Sequence, residues 1–196
     1  MSSVQAAKRI LRKEMKNRLL AMSKEQILIE SEQLTQKLLA TAAYKESKRI
    51  AVYLSMSEEV QTHGILKNIF SAGKVCFIPR YETVTNSMEM LRLHSMEDIQ
   101  TLEVTKWEVR QPAENDEREN ALENGGLDLV IVPGLAFTLS GQRLGRGKGY
   151  YDTFLQRCST VVGKAPNTIA LSFTDQIVDS IPTEGHDYII DSVLTP

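Results

Sequence analysis

Apolar residues recur at three- and four-residue steps near the start of the chain and form short continuous runs further along. The first spacing predicts an amphipathic helix over residues 4–21. Its apolar positions are Leu11, Met15, Leu19 and Met22. Ser23, with Gln26 three residues later, is typical of the N-cap of a second helix. The apolar stripe of that second helix is Ile27, Leu34 and Leu38.

The continuous apolar runs predict strands, which we place at 49–55, 74–78, 88–93, 127–132, 168–173 and 188–194. Between the first two strands, Thr62 is a candidate N-cap and Gly73 a candidate stop for a helix. Pro79 is expected to end the second strand. A further helix is predicted over residues 150–158.

A helix of about ten residues between two continuous apolar strands favours parallel strand pairing in a covered sheet. We therefore predict an α/β fold: a three-layer domain with a mostly parallel central sheet flanked by helices. Residues 95–126 are polar and aperiodic, and no internal repeat or linker divides the chain. One domain is expected over residues 1–196.

Charge is nearly balanced overall but is uneven along the chain. The formal net charge is −2, residues 1–22 hold six cations against one acid, and residues 97–123 hold nine acids against three cations. Solvated surfaces explain both patches, so no nucleic-acid partner is expected. Cys76 and Cys158 are too few for a disulfide framework. No apolar run of membrane-spanning length and no signal-peptide core is present, so we expect a cytoplasmic protein. A basic mitochondrial presequence is the alternative.

Residues 143–152 carry the strongest chemical signal. Gly145, Gly147 and Gly149 alternate with Arg146 and Lys148, just before the predicted helix. Missing side chains let backbone N–H groups approach an anion, and a helix N-terminus adds donors and partial positive charge. The pattern predicts a phosphate site, with a flexible turn carrying solvated cations as the alternative. A Walker A loop is excluded because Gly149 stands where Ser or Thr would hold magnesium. A dinucleotide fingerprint is excluded because Tyr150 stands at its third glycine.

Other candidate residues follow the predicted strands. Residues 54–59, 79–81 and 133–137 each come after a strand, at the sheet edge where α/β proteins bind ligands. Asp152, with Asp187 or Asp191, could hold magnesium beside a bound phosphate. The alternative for Asp152 is a carboxylate that complements the helix dipole. Trp107 either anchors a local cluster or stacks on a flat ligand.

These motifs together resemble the 5-formyltetrahydrofolate cyclo-ligase family. The likeness rests on Lys8-Arg9-x-x-Arg12, Pro133-Gly134-Leu135-Ala136-Phe137 and the glycine loop, and Phe77-Ile78-Pro79-Arg80-Tyr81 and residues 124–129 are similar to the animal branch. The resemblance implies closure of 5-formyltetrahydrofolate to 5,10-methenyltetrahydrofolate with ATP and Mg²⁺, releasing ADP and phosphate. It also places the basic N-terminal helix over the site. Thr138 departs from the family, whose members often carry Asp there.

The resemblance further implies residue roles. The residues that match the ATP-binding segments are Lys8, Arg9, Ile10, Leu11, Arg12, Arg143, Leu144, Gly145, Arg146, Gly147, Lys148, Gly149, Tyr150 and Tyr151. The residues expected at the folate are Leu54, Glu59, Arg80, Tyr81, Trp107, Arg146, Gly147, Lys148, Gly149, Tyr150 and Tyr151. Asp152 and Asp187 match the magnesium ligands. Lys8, Arg146 and Lys148 are the catalytic candidates, and Arg80 is a candidate partner for the carboxylate tail of folate.

The implied chemistry transfers the γ-phosphoryl group of ATP to the formyl oxygen, which makes an imidate phosphate that N10 attacks. Such a transfer needs positioning and charge neutralisation. The partners expected are ATP, 5-formyltetrahydrofolate and its polyglutamates, with a monomeric protein and no membrane contact. Two alternatives remain from the residues: a phosphotransferase or nucleotide hydrolase with another acceptor, and a binding protein that presents its basic helix to RNA.

Overall fold

Five helices and one six-stranded sheet form the framework of the molecule. A computed structural model describes residues 3–82, 85, 87–105, 109–185 and 187–196. The helices are α1 (Ser3–Ala21), α2 (Lys24–Ala40), α3 (Ala42–Glu46), α4 (His63–Ser71) and α5 (Tyr150–Val162). The strands are β1 (Arg49–Ala51), β2 (Val75–Glu82), β3 (Ser87–Leu93), β4 (Glu103–Val104), β5 (Arg110–Gln111), β6 (Leu129–Val132), β7 (Ala136–Phe137), β8 (Arg143–Leu144), β9 (Asn167–Leu171) and β10 (Ser192–Leu194).

The central sheet has the strand order β10-β9-β6-β1-β2-β3. Its pairs are parallel except for β2 with β3, which is antiparallel. In register, Ile50 of β1 lies between Cys76 and Leu129. The mostly parallel sheet confirms the predicted fold class, and the antiparallel partner is the edge strand, as is common in such sheets.

Two apolar clusters cover the two faces of the sheet. Ile50 and Ile131 pack with Met15 and Leu34 in one cluster. Ala51 points to the other face and packs with α5. Successive strand residues point to opposite faces, so a sheet with two buried faces needs the continuous apolar runs seen in the sequence. The arrangement is the three-layer one predicted.

The helix ends agree with the sequence at all three predicted positions. Ser23 Oγ accepts a hydrogen bond from the Gln26 amide at 3.1 Å, so the N-cap of α2 is confirmed. Gly73 has φ of +66° two residues after α4, where a left-handed residue stops a helix. Thr62 is the N-cap residue of α4, but its hydroxyl makes no capping bond and donates instead to the Tyr53 carbonyl at 2.8 Å.

Pro79 does not end β2, contrary to the sequence prediction. The strand continues to Glu82, and Pro79 pairs with Met90 of β3. β2 pairs with β1 only as far as Phe77. Pro79 lacks an N–H group on that side of β2, but no strand is paired there, so no interstrand hydrogen bond is lost. Helix α5 also exceeds its prediction, reaching Val162 before Gly163 turns left-handed with φ of +73°.

Candidate active site

A cavity of about 590 Å³ opens at the carboxyl ends of the central strands. It lies between α1, the segments after β1 and β6, and the loop that leads into α5. Its lining residues are Gln5, Lys8, Arg12, Lys16, Tyr53, Leu54, Met56, Glu59, Tyr81, Val109, Pro133, Gly134, Arg143, Leu144, Gly145, Arg146, Gly147, Lys148, Gly149, Tyr150, Tyr151, Asp152 and Asp187. The position is the one expected for a ligand in an α/β sheet.

The glycine loop, residues 145–149, forms one wall of this cavity and ends directly at α5. Gly147 has φ of +103° and Gly149, the N-cap of α5, has φ of +71°, a region that favours glycine. A Cβ atom on Gly147 would lie 3.3 Å from Arg12 Cζ. The wall therefore presents backbone and the donor end of a 13-residue helix to the cavity, as an anion site requires.

Helix α1 presents a row of cations to the cavity. Lys8, Arg12 and Lys16 follow four-residue steps and all line it. Lys8 is 4% exposed, and its Nζ donates to Asp187 Oδ1 at 2.8 Å and Oδ2 at 2.6 Å. Arg12 Nε donates to the Gly145 carbonyl at 2.9 Å. The helix thus lies over the cavity and holds the glycine loop in place.

The three residues of α1 between Lys8 and Arg12 point away from the cavity. Arg9 and Ile10 are exposed, and Leu11 packs against the apolar core. None of the three lines the cavity. Their contact with ATP was predicted only from the resemblance to the family. Within residues 8–12, Lys8 and Arg12 are the residues that line the cavity.

Two aspartates line the cavity near its cations. Asp152 Oδ2 accepts from Arg143 at 2.9 Å, and its Oδ1 accepts from the Tyr188 amide at 3.2 Å. Asp187 Oδ2 also accepts from the Glu184 amide at 2.6 Å. Asp191, the alternative second carboxylate, instead bonds the Thr168 amide and hydroxyl at 2.8 and 2.7 Å and is not among the cavity residues.

This donor set fits magnesium. Among the described residues, no group of three or more His, Cys, Asp and Glu side chains could enclose a metal ion. Magnesium usually keeps one or two carboxylates and takes its other ligands from phosphate oxygens and water. Asp152 and Asp187 line the same cavity as the glycine loop, so they are positioned where the protein's carboxylates of such a shell would be needed.

Aromatic side chains form another part of the cavity wall. Tyr53, Tyr81, Tyr150 and Tyr151 all line it, and the rings of Tyr81 and Tyr150 are 5.1 Å apart between centroids. Burial raises the pKa of both Tyr81 and Tyr151 above the ordinary phenol value, so both stay neutral. The Tyr151 hydroxyl is buried and interacts with the Tyr81 side chain. A flat, partly polar ligand would fit this wall.

An ion pair crosses the mouth of the cavity. Arg146 of the glycine loop donates to Glu59 Oε1 at 3.0 Å and Glu58 Oε1 at 3.1 Å, in the turn after β1. Burial alone would raise the pKa of Glu58, but hydrogen bonds from its own amide and Arg146 outweigh it and lower that pKa. Burial likewise disfavours charged Arg146, but Glu59 and Glu58 raise its pKa overall.

Arg80 and Thr138, both singled out from the sequence, do not line the cavity. The Arg80 guanidinium bonds Glu89 at 2.6 Å and the Ala113 carbonyl at 3.0 Å and does not line the cavity, so its predicted role at the folate tail lacks geometric support. Trp107 lies outside the described residues. Thr138 is buried, and its hydroxyl accepts from the Gln142 amide at 3.1 Å, so it shapes the turn between β7 and β8.

Several cavity residues were missed at the sequence level. They are Gln5, Lys16, Tyr53 and Val109, whereas Met56, Pro133 and Gly134 lie inside the candidate segments 54–59 and 133–137. Lys16 could have been found from its four-residue step after Arg12, whereas Tyr53 was assigned to the predicted strand 49–55. Val109 carries no such signal, because it comes from the aperiodic acidic region.

Within the part of the chain that the structure describes, no helix is both long enough and apolar enough to cross a membrane.

Comparison with known proteins gives a consistent result over nearly the whole chain. A family model described as "5-formyltetrahydrofolate cyclo-ligase family" matches residues 4–196. The mouse protein named 5-formyltetrahydrofolate cyclo-ligase is 52% identical over 192 residues, covering 98% of this chain and 95% of the mouse protein. A Caenorhabditis elegans protein named a probable 5-formyltetrahydrofolate cyclo-ligase is 35% identical, covering 99% and 95%.

A solved structure supports the same grouping. The NMR structure of Aquifex aeolicus 5,10-methenyltetrahydrofolate synthetase superposes with a TM-score of 0.77 at 29% identity. The match covers 96% of this chain and 89% of the Aquifex chain.

Proposed function

The chain belongs to the 5-formyltetrahydrofolate cyclo-ligase family and is an enzyme of that class, and on this premise we propose its reaction and the residues that perform it. It converts 5-formyltetrahydrofolate to 5,10-methenyltetrahydrofolate with ATP and Mg²⁺, releasing ADP and phosphate. The substrates are ATP and the reduced folate, including its polyglutamates.

One observation carries the proposal. A single cavity is lined by a glycine loop, a helix N-terminus and cations, and also by tyrosines and Glu59. The first group of residues suits a nucleotide's terminal phosphates, and the second suits a flat pterin ring with N–H groups at its edge. An enzyme that moves a phosphoryl group onto the formyl oxygen needs both ligands in one enclosure.

The chemistry needs activation of an unreactive amide oxygen. The formyl oxygen attacks the γ-phosphorus of ATP, and the bond to the β-phosphate oxygen breaks as ADP leaves. N10 then adds to the formyl carbon, the C–O bond to phosphate breaks, and N10 loses its proton. The overall products are the methenyl ring, ADP and phosphate. The first step spreads charge over the transferring group, so stabilisation by fixed cations lowers its barrier.

Different cavity residues act on the phosphates, the folate and the metal. Lys8, Arg146 and Lys148 neutralise the phosphate oxygens, and the amides at the start of α5 donate to them. Glu59 and Leu54 hold the pterin edge, with Tyr81, Tyr150 and Tyr151 beside the ring. Asp152 and Asp187 hold magnesium, which supplies further positive charge to the phosphates when bound.

The test is the near-ultraviolet absorbance of the methenyl product, with 5-formyltetrahydrofolate, ATP and Mg²⁺. Absorbance should rise with all three present and stay flat when any one is omitted. ATP consumed at the same rate without the folate would identify a hydrolase instead. Lys148→Ala should lose most turnover without unfolding. Lys67→Ala, an exposed change on α4, is the charge-matched control.

Three further expectations accompany this function. We infer a monomeric, cytoplasmic protein that binds no nucleic acid. Lys8 and Arg12 turn toward the cavity and bond Asp187 and Gly145, which leaves α1 a weaker basic surface for RNA than its sequence suggests. Light scattering, fractionation and a salt-dependent RNA-binding titration test the three expectations.

A further inference from the structure

Arg146 shares one guanidinium nitrogen between two adjacent carboxylates. Arg146 Nη2 lies 3.0 Å from Glu59 Oε1 and 3.1 Å from Glu58 Oε1. This contact ties the glycine loop to the turn after β1 at the cavity mouth. The cation therefore stands between the phosphate side and the folate side of the proposed active site.

The two carboxylates are not equivalent. Glu59 lines the cavity, its side chain is 13% exposed, and its Oε2 accepts from the Met56 amide at 3.0 Å. Glu58 is not among the cavity residues, is 23% exposed and has the Ser57 hydroxyl at 3.2 Å. A ligand that fills the cavity meets Glu59 and leaves Glu58 in place.

The charges of this cluster do not balance in the ligand-free chain. Two carboxylates face one guanidinium, which leaves a net charge of −1 for the three groups. If N–H donors of the pterin edge take Glu59, then Arg146 and Glu58 remain as a balanced pair. The second carboxylate thus gives Arg146 a partner that does not compete with the substrate.

We propose that Glu58 is a positioning residue that retains Arg146 at the cavity mouth when Glu59 binds the folate. This inference rests on the proposed function, because it places a folate at Glu59. Without Glu58, Arg146 would have Glu59 as its ionic partner in this cluster, and the folate would have to displace it. Arg146 would then also be less well held for the phosphoryl transfer.

The first experiment measures binding without turnover. Titration calorimetry with 5-formyltetrahydrofolate, in the absence of ATP, compares the wild type with Glu58→Gln. We expect Kd to rise about threefold to fivefold, the upper part of the range for losing a partly exposed ion pair. Glu58→Asp should restore Kd to within about twofold of wild type. Glu46→Gln, which removes an exposed carboxylate from α3, should leave it unchanged.

The second experiment shows whether Glu58 acts through Arg146. In an Arg146→Gln background, adding Glu58→Gln should change Kd by less than about twofold, because no cation is left to hold. A persistent full effect in that background would overturn the inference, as would equal affinities of wild type and Glu58→Gln.

The outcomes separate the two claims. A wild type that binds no 5-formyltetrahydrofolate, or forms no methenyl product, refutes the proposed function and this inference with it. A wild type that binds and turns over normally, with Glu58→Gln unchanged in Kd and kcat, refutes the role of Glu58 and leaves the proposed function standing.

Discussion

Individual residues around the cavity form ion pairs with one another. Lys8 bonds Asp187, Arg143 bonds Asp152, and Arg146 bonds Glu59. In each pair, a cation expected at ATP meets an acid expected at magnesium or folate. Ligand binding would therefore replace one ionic partner with another. This exchange would cost less free energy than leaving a buried charge without any partner. Such pairs also hold the side chains near their working positions.

Asp152→Asn should raise the Mg²⁺ concentration needed for half-maximal turnover about tenfold or more, because one of two protein carboxylates for the metal is lost. It should also destabilise the fold by about 3 kcal/mol, since Arg143 is left buried without its carboxylate. Magnesium titrations of activity and thermal unfolding measure the two effects.

The matched control is Asp191→Asn, which removes a carboxylate bonded to Thr168 outside the cavity. It should lower the melting temperature but leave the magnesium titration unchanged. An unaltered titration for Asp152→Asn itself would rule out metal ligation there.

A second prediction for a single residue concerns Lys16. It lines the cavity, and no hydrogen bond or ion pair joins it to another described residue. Since Arg80 lies outside the cavity, Lys16 is our candidate for the carboxylate tail of folate. Lys16→Gln should raise KM about threefold for a polyglutamated substrate and less for the monoglutamate. Lys13→Gln, an exposed change on α1, should alter neither KM, and equal effects on both substrates would exclude this role.

At the level of elements, the loop between β8 and α5 depends on backbone conformations that other residues avoid. Gly147→Ala should abolish most turnover, because its φ of +103° is strained for alanine and its Cβ would press on Arg12. We expect a stability loss of about 1 kcal/mol. Turnover and urea unfolding, measured on the same preparation, distinguish the two effects.

Gly163→Ala is the control for this prediction. Gly163 has φ of +73° at the other end of α5, and a Cβ atom added there would meet open space, with no neighbouring side chain within 4 Å. The variant should lose similar stability and keep full activity. A Gly147→Ala enzyme as active as Gly163→Ala would show that the loop tolerates a side chain.

The comparison of sequence with structure is also clearest for elements. Strand β6 was predictable because a strand covered on both faces must be apolar throughout, and α5 because a glycine loop precedes an amphipathic run. The position of Arg80 was not, because its partner Glu89 is chosen by the antiparallel register of β2 and β3. The hydrogen bond of the Thr62 hydroxyl could not be predicted either, since local spacing does not reveal its acceptor, the Tyr53 carbonyl in the segment after β1.

Across the whole molecule, ion pairs join the acidic region to the edge of the sheet. Asp98 bonds Arg118 at 2.6 Å, and Arg118 also donates to the carbonyl of Arg92 in β3 at 3.1 Å. The hydrogen bonds from Arg118, foremost, hold the pKa of Asp98 well below its ordinary value. This polar region, which has no apolar period, is therefore fixed by these ion pairs as well as by the burial of Leu102 and Ala121.

The pKa of Asp98 gives a pH-dependent prediction. A folded pKa below the unfolded value of about 3.9 stabilises the fold above that pH, and the benefit disappears as pH falls toward the folded value. Asp98→Asn should cost about 3 kcal/mol at pH 7. Urea unfolding at pH 7, 5 and 3 should show the gap between wild type and variant closing on the acid side. A constant gap would contradict the assignment.

The bond between Lys8 and Asp187 spans 179 positions of the chain, and Gln5 reaches Glu184 in the same way. During synthesis on the ribosome, the first helix emerges long before its partner has been translated. A nascent chain consequently carries Lys8 without its counter-charge and has no finished active site until the segment around Asp187 has left the ribosome. Catalytic competence in this enzyme should therefore appear only after that segment has emerged and packed against the first helix.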